Sequence, residues 1–167
     1  MKLRFVFSLL LSCLLLVIPV MSGTSYSQSQ NAITEQKVLS IIDAADRASR
    51  KGNVAGMIAA FAKDVKIKMT FLTPASDKEQ VLNLTKAQYA SHTRRGMRRR
   101  LAYTLERKNT RVKIYAGGKD ATITSDLYET LTIQQGTLRA ATSEVAILGI
   151  RDGRIVITSI ESRTRFY

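Results

Sequence analysis

Residues 121–166, ATITSDLYETLTIQQGTLRAATSEVAILGIRDGRIVITSIESRTRF, hold three long runs of β-branched and aliphatic side chains separated by two short turn signals. Such side chains suit the pleated strand, where they pack without the χ1 restriction a helix imposes. Gln134, Gln135 and Gly136 mark the first turn. Asp152 and Gly153, between Arg151 and Arg154, form a two-residue hairpin signal at the second. The reading is a meander of antiparallel strands over 121–133, 138–150 and 155–166. If Gln134 to Gly136 is a three-residue loop with Gly136 left-handed, Glu129 pairs near Ala141. It then shares a face with Ile123, Leu127, Leu131, Ser143, Val145 and Ile147, to which the second turn adds Val156, Thr158 and Ile160. That apolar face is expected to be concave, with Glu129 its single acid and Glu144 facing Glu161 on the other side. A one-residue slip would turn Glu129 outward.

Working back along the chain, Leu101, Tyr103 and Leu105 alternate with polar residues, RVKIY stays extended, and AGGKD turns into the meander. Before them, Thr85 caps a helix, KAQYASHTRRGM, which places His92 one turn from Tyr89. LTPASDKEQ reads as loop from its Pro, Ser and Asp content. Val65, Ile67, Met69 and Phe71 alternate with Lys66, Lys68 and Thr70 as a half-buried strand. Asn53 caps a short helix from Val54 to about Ala62. Thr34 caps a longer one carrying Val38, Ile41, Ile42, Ala45 and Ala48 at helical spacing.

Upstream, Lys2 and Arg4 precede an uncharged apolar run that ends in small polar residues, the grammar of an export signal. Residues 1–27 are expected to be signal and cleavage region, with cutting after Ser22 or Ser27, residues 28–32 a flexible leader, and 33–167 one domain. The product is then exported, periplasmic or extracellular. Removal of the segment takes away the one cysteine, which excludes disulfides and thiol chemistry, and lowers the net charge of +13 by two.

Three helices followed by long strands have one economical packing: an α+β cone, in which a curved antiparallel sheet wraps around three N-terminal helices. FAKDVKIKM, LTKAQYASH, GGKDATITSDLYETLTI and RDGRIVITSI together resemble the nuclear transport factor 2-like superfamily, with its cystatin-like α+β fold and its small SnoaL-like and DUF4440-like members. The resemblance spans residues 33–166. It implies a concave ligand pocket, a homodimer through the outer face of the sheet, and members that range from enzymes to simple binders. In the isomerase branch a catalytic aspartate sits early in the first strand. Alignment puts Met69 at that position, which removes the general base.

The remaining chemistry is sparse. His92, Tyr89 and Glu129 are the weak catalytic candidates. Met69, Tyr89, Tyr103, Leu127, Val145, Thr158 and Ile160 are the expected pocket lining. A single histidine without cysteine makes no transition-metal site, and no motif calls for a cofactor. Arg94, Arg95, Arg98, Arg99 and Arg100 end the third helix, where the macrodipole favours cations. They form either a solvated helix end or an anion-binding patch. With few aromatic residues nearby, an anionic envelope surface of lipid or polysaccharide fits better than sequence-specific nucleic acid. The leading expectation is an exported, non-catalytic binder of a small apolar or amphipathic ligand, or of a partner, in the pocket. A dehydratase- or isomerase-type enzyme and a module docking on envelope anions are the alternatives.

Overall fold

The structure, a computed structural model, describes residues 32–73 and 76–167. The expected signal, 1–27, and the leader up to residue 31 lie outside the described residues. Among the described residues no helix is long and apolar enough to cross a membrane.

The elements run α1 (Glu35–Lys51), α2 (Val54–Met57), β1 (Phe61–Thr73), β2 (Ser76–Leu84), α3 (Lys86–Arg98), β3 (Arg100–Ile114), β4 (Asp120–Ile133), β5 (Gly136–Arg151) and β6 (Arg154–Phe166). The six strands form one sheet in the order β2-β1-β6-β5-β4-β3. This is the expected α+β cone, but the sheet is mixed rather than wholly antiparallel. Consecutive hairpins make β3 to β6 an antiparallel meander, whereas β1 lies parallel to β6. A parallel neighbour can be reached only by a long crossover, and here the crossover is everything between the two strands.

Local chemistry fixes the helix ends. The Thr34 hydroxyl accepts the Lys37 N–H at 3.3 Å, and α1 stops at Gly52, whose φ of 70° lets its N–H and that of Asn53 close on the Ser49 and Ala48 carbonyls. α3 opens with a capping box: Thr85 accepts the Gln88 N–H, and the Gln88 side chain accepts the Thr85 N–H at 2.8 Å. α2 ends at Met57, short of the expected Ala62, and Phe61 and Ala62 already belong to β1, buried beneath the helices. Gly56 propagates a helix poorly, and its bare Cα lets α2 lie against Ala48.

Two expectations about the sheet need correction. LTPASDKEQ is not all loop, because from Ser76 it pairs antiparallel with β1 as the edge strand β2. Backbone hydrogen bonds order it, and an edge strand exposed on its flanks carries no apolar alternation to betray it. The first hairpin of the meander turns on Gln134 and Gln135 alone. Ile133 pairs with Gly136, whose φ of 140° is far from the left-handed helical value that the three-residue loop requires. Glu129 therefore pairs with Ala140, and the whole of β5 slips by one residue relative to expectation. Thr142, Glu144, Ala146 and Leu148 face inward, while Val145 (41% exposed) and Ile147 (43% exposed) face out. A bulge at Thr158 then rephases β6, so that Ile157 and Ile160 both enter the core, and Thr158 donates to the Ile147 carbonyl at 3.2 Å. Glu144 faces Ser162 across the ladder, and it is Val145 that opposes Glu161.

The core lies between α1 and the concave face. Val38, Ile123 and Leu148 are its largest fully buried side chains, with Ile42, Phe61, Ile67 and Ile157 around them. Along the concave face, between α1 and α3, this packing opens into a cavity.

Candidate functional site

The cavity has a volume of about 320 Å³, at the lower end of the range for small-molecule sites. The stripe of α1 that carries Val38 and Ile42 continues at helical spacing to Asp46 and Ser49, so two polar residues enter an otherwise apolar face. From the sheet, the inward phase of β3 supplies Tyr103, Leu105 and Arg107, and that of β4 supplies Leu127, Glu129 and Leu131. β5 adds Thr142, Glu144 and Ala146, and β6 adds Ile160, Ser162 and Thr164. Ile67 and Met69 of β1, with Tyr89, Thr93 and Met97 of α3, complete the wall.

Arg107 organises the deep side. Its Nε and Nη2 donate to the two oxygens of Asp46, both at 2.9 Å, and its Nη1 donates to Glu144 at 2.9 Å and to the Ser125 hydroxyl. Arg107, Asp46 and Glu144 side chains are 12%, 9% and 20% exposed, so this is a buried, bidentate ion-pair network. Burial pulls the guanidinium down, but the hydrogen bonds and charges of Asp46 and Glu144 outweigh it and hold Arg107 well above its ordinary value.

Next to it, Tyr103 donates a short hydrogen bond to Glu129 and accepts one from Ser49 at 3.2 Å. Burial first, then the charge of Glu129 and the hydrogen bond to it, raise the Tyr103 phenol. Burial also raises the Glu129 carboxyl. The Tyr103 hydrogen bond and Arg107 oppose this, and Glu144 and Asp46 reinforce it. Tyr89 stacks obliquely on Phe61 with ring centroids 5.6 Å apart, and desolvation followed by the charges of Glu144 and Glu129 pushes its phenol up to about 12. Thr142 and Thr164 satisfy each other at 2.8 Å, whereas the buried Ser162 hydroxyl has no hydrogen-bond partner among the described residues.

Of the residues expected from sequence, Met69, Tyr89, Tyr103, Leu127, Ile160 and Glu129 meet in this cavity. Val145 and Thr158 do not, because the turn at Gln134 and Gln135 and the bulge at Thr158 put them on the convex side. His92 is exposed on α3, where its Nδ1 accepts from Arg95 at 3.0 Å, so it does not join Tyr89 or Glu129. Glu129 is not the single acid either, since Asp46 and Glu144 share the cavity with it. Those two and Arg107, Ser49 and Ser162 escaped the sequence reading. Asp46 had a signal, being a carboxylate four residues beyond Ile42 on an apolar stripe, and so had Arg107, two residues beyond Leu105 in an inward phase.

The arginine run divides. Arg94, Arg95, Arg98 and Arg99 are exposed, with Arg95 also donating to Ser91. Arg100 is not part of that surface: it donates to the Ser49 carbonyl at 3.0 Å and lies over the Tyr103 ring, 5.5 Å from its centroid. Arg94 also lines a groove with Lys63, Lys86, Arg151 and Arg154, where Asp64 and Asp152 are the acids. No cluster of metal-ligating side chains occurs among the described residues.

No family model matches the sequence, and no curated protein matches it. Solved structures do match the fold. A candidate scytalone dehydratase from Novosphingobium aromaticivorans superposes with a TM-score of 0.63 at 11% identity, covering 77% of this chain and 82% of that one. An NTF2-like protein of unknown function from Pseudomonas putida gives 0.60 at 14% identity, over 77% and 84%. The hexachlorocyclohexane dehydrochlorinase LinA-type3 from Novosphingobium barchaimii gives 0.59 at 9% identity, over 76% and 83%. Enzymes and a protein of unknown function thus share one architecture, and at such identities the likeness speaks for fold and not for chemistry. The chain has the nuclear transport factor 2-like fold.

Proposed function

We propose that this chain binds a small amphipathic molecule inside the cone, as an exported protein that performs no chemistry on it. The observation that carries the reading is the two-sided lining of one cavity. Met69, Leu127, Leu131, Ile160 and the rings of Phe61 and Tyr89 form an apolar wall, and Glu129, Tyr103 and Ser162 gather polar atoms at one side. The wall takes the body of the ligand by burial, and the polar side sets its orientation. Filling the cavity is the direct test. The substitution Met69→Trp should abolish the response of the Met97 methyl resonance to any ligand that perturbs it in the wild type. Retained binding would place the ligand elsewhere.

A second reading, an enzyme of the dehydratase or isomerase kind, draws on the Tyr103 to Glu129 hydrogen bond. A carboxyl raised by burial and held by a phenol is suited to general acid/base work. The enzyme names of two of the structural neighbours are consistent with it. The exposure of His92 and the presence of Met69 at the isomerase aspartate's position weigh against it. Turnover of any candidate substrate, falling by about 10²- to 10⁴-fold in Glu129→Gln, would decide for the enzyme. The exposed arginines of α3 support a separate role in holding the exported protein to anionic surfaces.

A further inference from the structure

The inside of the cone is acidic in a strongly basic protein. Asp46, Glu129 and Glu144 line the cavity against one guanidinium, Arg107, while the chain as a whole carries +13. Arg107 is fully engaged by Asp46, Glu144 and Ser125, and the partner of Glu129 is Tyr103, a neutral donor. On this count the lining keeps a surplus of negative charge whether or not Glu129 is protonated, and Arg107 is the one cation among the described residues that line the cavity. Arg100 touches Ser49, Met97 and the Tyr103 ring but is not part of the lining.

A second observation is independent of charge. Ser162 is 5% exposed, lines the same cavity, and its hydroxyl has no partner among the described residues. The ladder sets Ser162 directly opposite Glu144, on the acidic side. Buried hydroxyls are nearly always hydrogen-bonded, so an orphan on a cavity wall marks a place for an atom the protein does not supply. The rest of the wall, with Phe61, Tyr89 and Met69, offers ring faces and a thioether, polarizable surfaces that accept an organic cation. A bare metal ion is a poorer fit, since the acids of the described residues form no metal-ligating cluster.

We propose that the ligand is a small primary amine on an apolar body, bound as its ammonium ion, with the head beside Glu129 and Glu144 and one N–H donated to the Ser162 hydroxyl. The proposal rests on the reading of the cone as an amphipathic-ligand site and gives that ligand its charge.

The test uses three near-isosteric probes, benzylammonium, benzyl alcohol and benzoate, titrated into the full chain while the methyl resonances of Met69 and Met97 are followed. Benzylammonium should bind about tenfold or more tighter than benzyl alcohol, and benzoate should be the weakest of the three. In Glu129→Gln, which keeps an acceptor for Tyr103, the ammonium should lose several-fold in affinity while the alcohol stays within about twofold. Ser162→Ala should weaken the ammonium as well. Alcohol or benzoate binding as tightly as the ammonium would overturn the inference and leave the pocket reading standing. An equal response to magnesium chloride, a cation with no apolar body, would also overturn it. If none of the three probes perturbs the cavity methyls, the pocket reading falls and takes the inference with it.

Discussion

Arg107 is the side chain on which the deep wall of the cavity depends. Replacing it by Met leaves Asp46 and Glu144 buried without their shared cation, and breaking a buried pair in this way costs about 3 to 5 kcal/mol. A urea titration should show that loss as a lower midpoint, and adding Asp46→Asn and Glu144→Gln to the same chain should recover part of it. Near-wild-type stability in Arg107→Met would mean that the network contributes no net stabilisation. Glu129 allows a test by pH. Burial raises its carboxyl above the ordinary 4.5 despite Tyr103 and Arg107, so the folded state holds that proton more tightly than the unfolded state does. The resulting stabilisation is present in acid and is lost as pH rises from about 4.5 through the raised folded value. Glu129→Gln does not titrate, so its stability relative to wild type should climb across that window and level off above it. A difference that falls instead would mean that the carboxyl is lowered, not raised, by folding. These residues were unevenly legible. Tyr103, Leu127 and Met69 follow from alternation within a single strand, whereas the inward turn of Glu144 and Ser162 depends on how many residues a loop uses, which side-chain pattern does not encode.

The caps at Thr34, Gly52, Asn53 and Thr85 were legible because capping is local chemistry, written in three or four neighbouring residues, whereas the early end of α2 at Met57 was not. Gly52 is the sharpest instance: its φ is 70°, and a Cβ there would meet the Arg100 Nη2 at 2.7 Å. Gly52→Ala should therefore cost about 1 to 2 kcal/mol from the left-handed backbone alone, read as a lower thermal midpoint. An unchanged midpoint would show that α1 ends without help from this residue. The strands were less legible at their edges. β2 opens on the polar run from Ser76 to Gln80, which carries no apolar alternation, and its order comes from the ladder to β1, the strand just before it. The bulge at Thr158 obeys the same logic, because an extra residue in β6 has meaning only against the register of β5.

At the scale of the whole molecule the order of helices and long strands was enough to specify the cone, since few packings bury one face of so long a meander. What it left out was the parallel seam between β1 and β6. The surface charge makes its own prediction here. Changing Arg94, Arg95, Arg98 and Arg99 together to Gln, with Arg100 left in its structural place, should weaken binding to anionic vesicles and acidic polysaccharide. The wild-type binding should itself decline steeply with salt, because exposed charges are screened within about 8 to 10 Å at physiological ionic strength. Equal binding by both proteins would reduce the run to a solvated helix end, and sequence-dependent binding to RNA that survives high salt would name a different partner. The convex face, with Val145 and Ile147 exposed, suits the homodimer proposed from the resemblance, and sedimentation of Val145→Lys against wild type checks it. The seam between β1 and β6 also sets a timetable for folding. Lys68 meets Glu161 across it, 93 residues apart. A chain delivered N-terminus first, whether from the ribosome or through a membrane pore, therefore presents α1, β1 and β2 long before the strand that must receive them has emerged. The hairpin of β1 and β2 has to wait as a two-stranded fragment, which is barely stable in water, while β3, β4 and β5 can zip locally. Closure belongs to the last strand made, so folding is slow by topology, and a chain ending before Arg154 would leave two separate sheets with the joining strand missing.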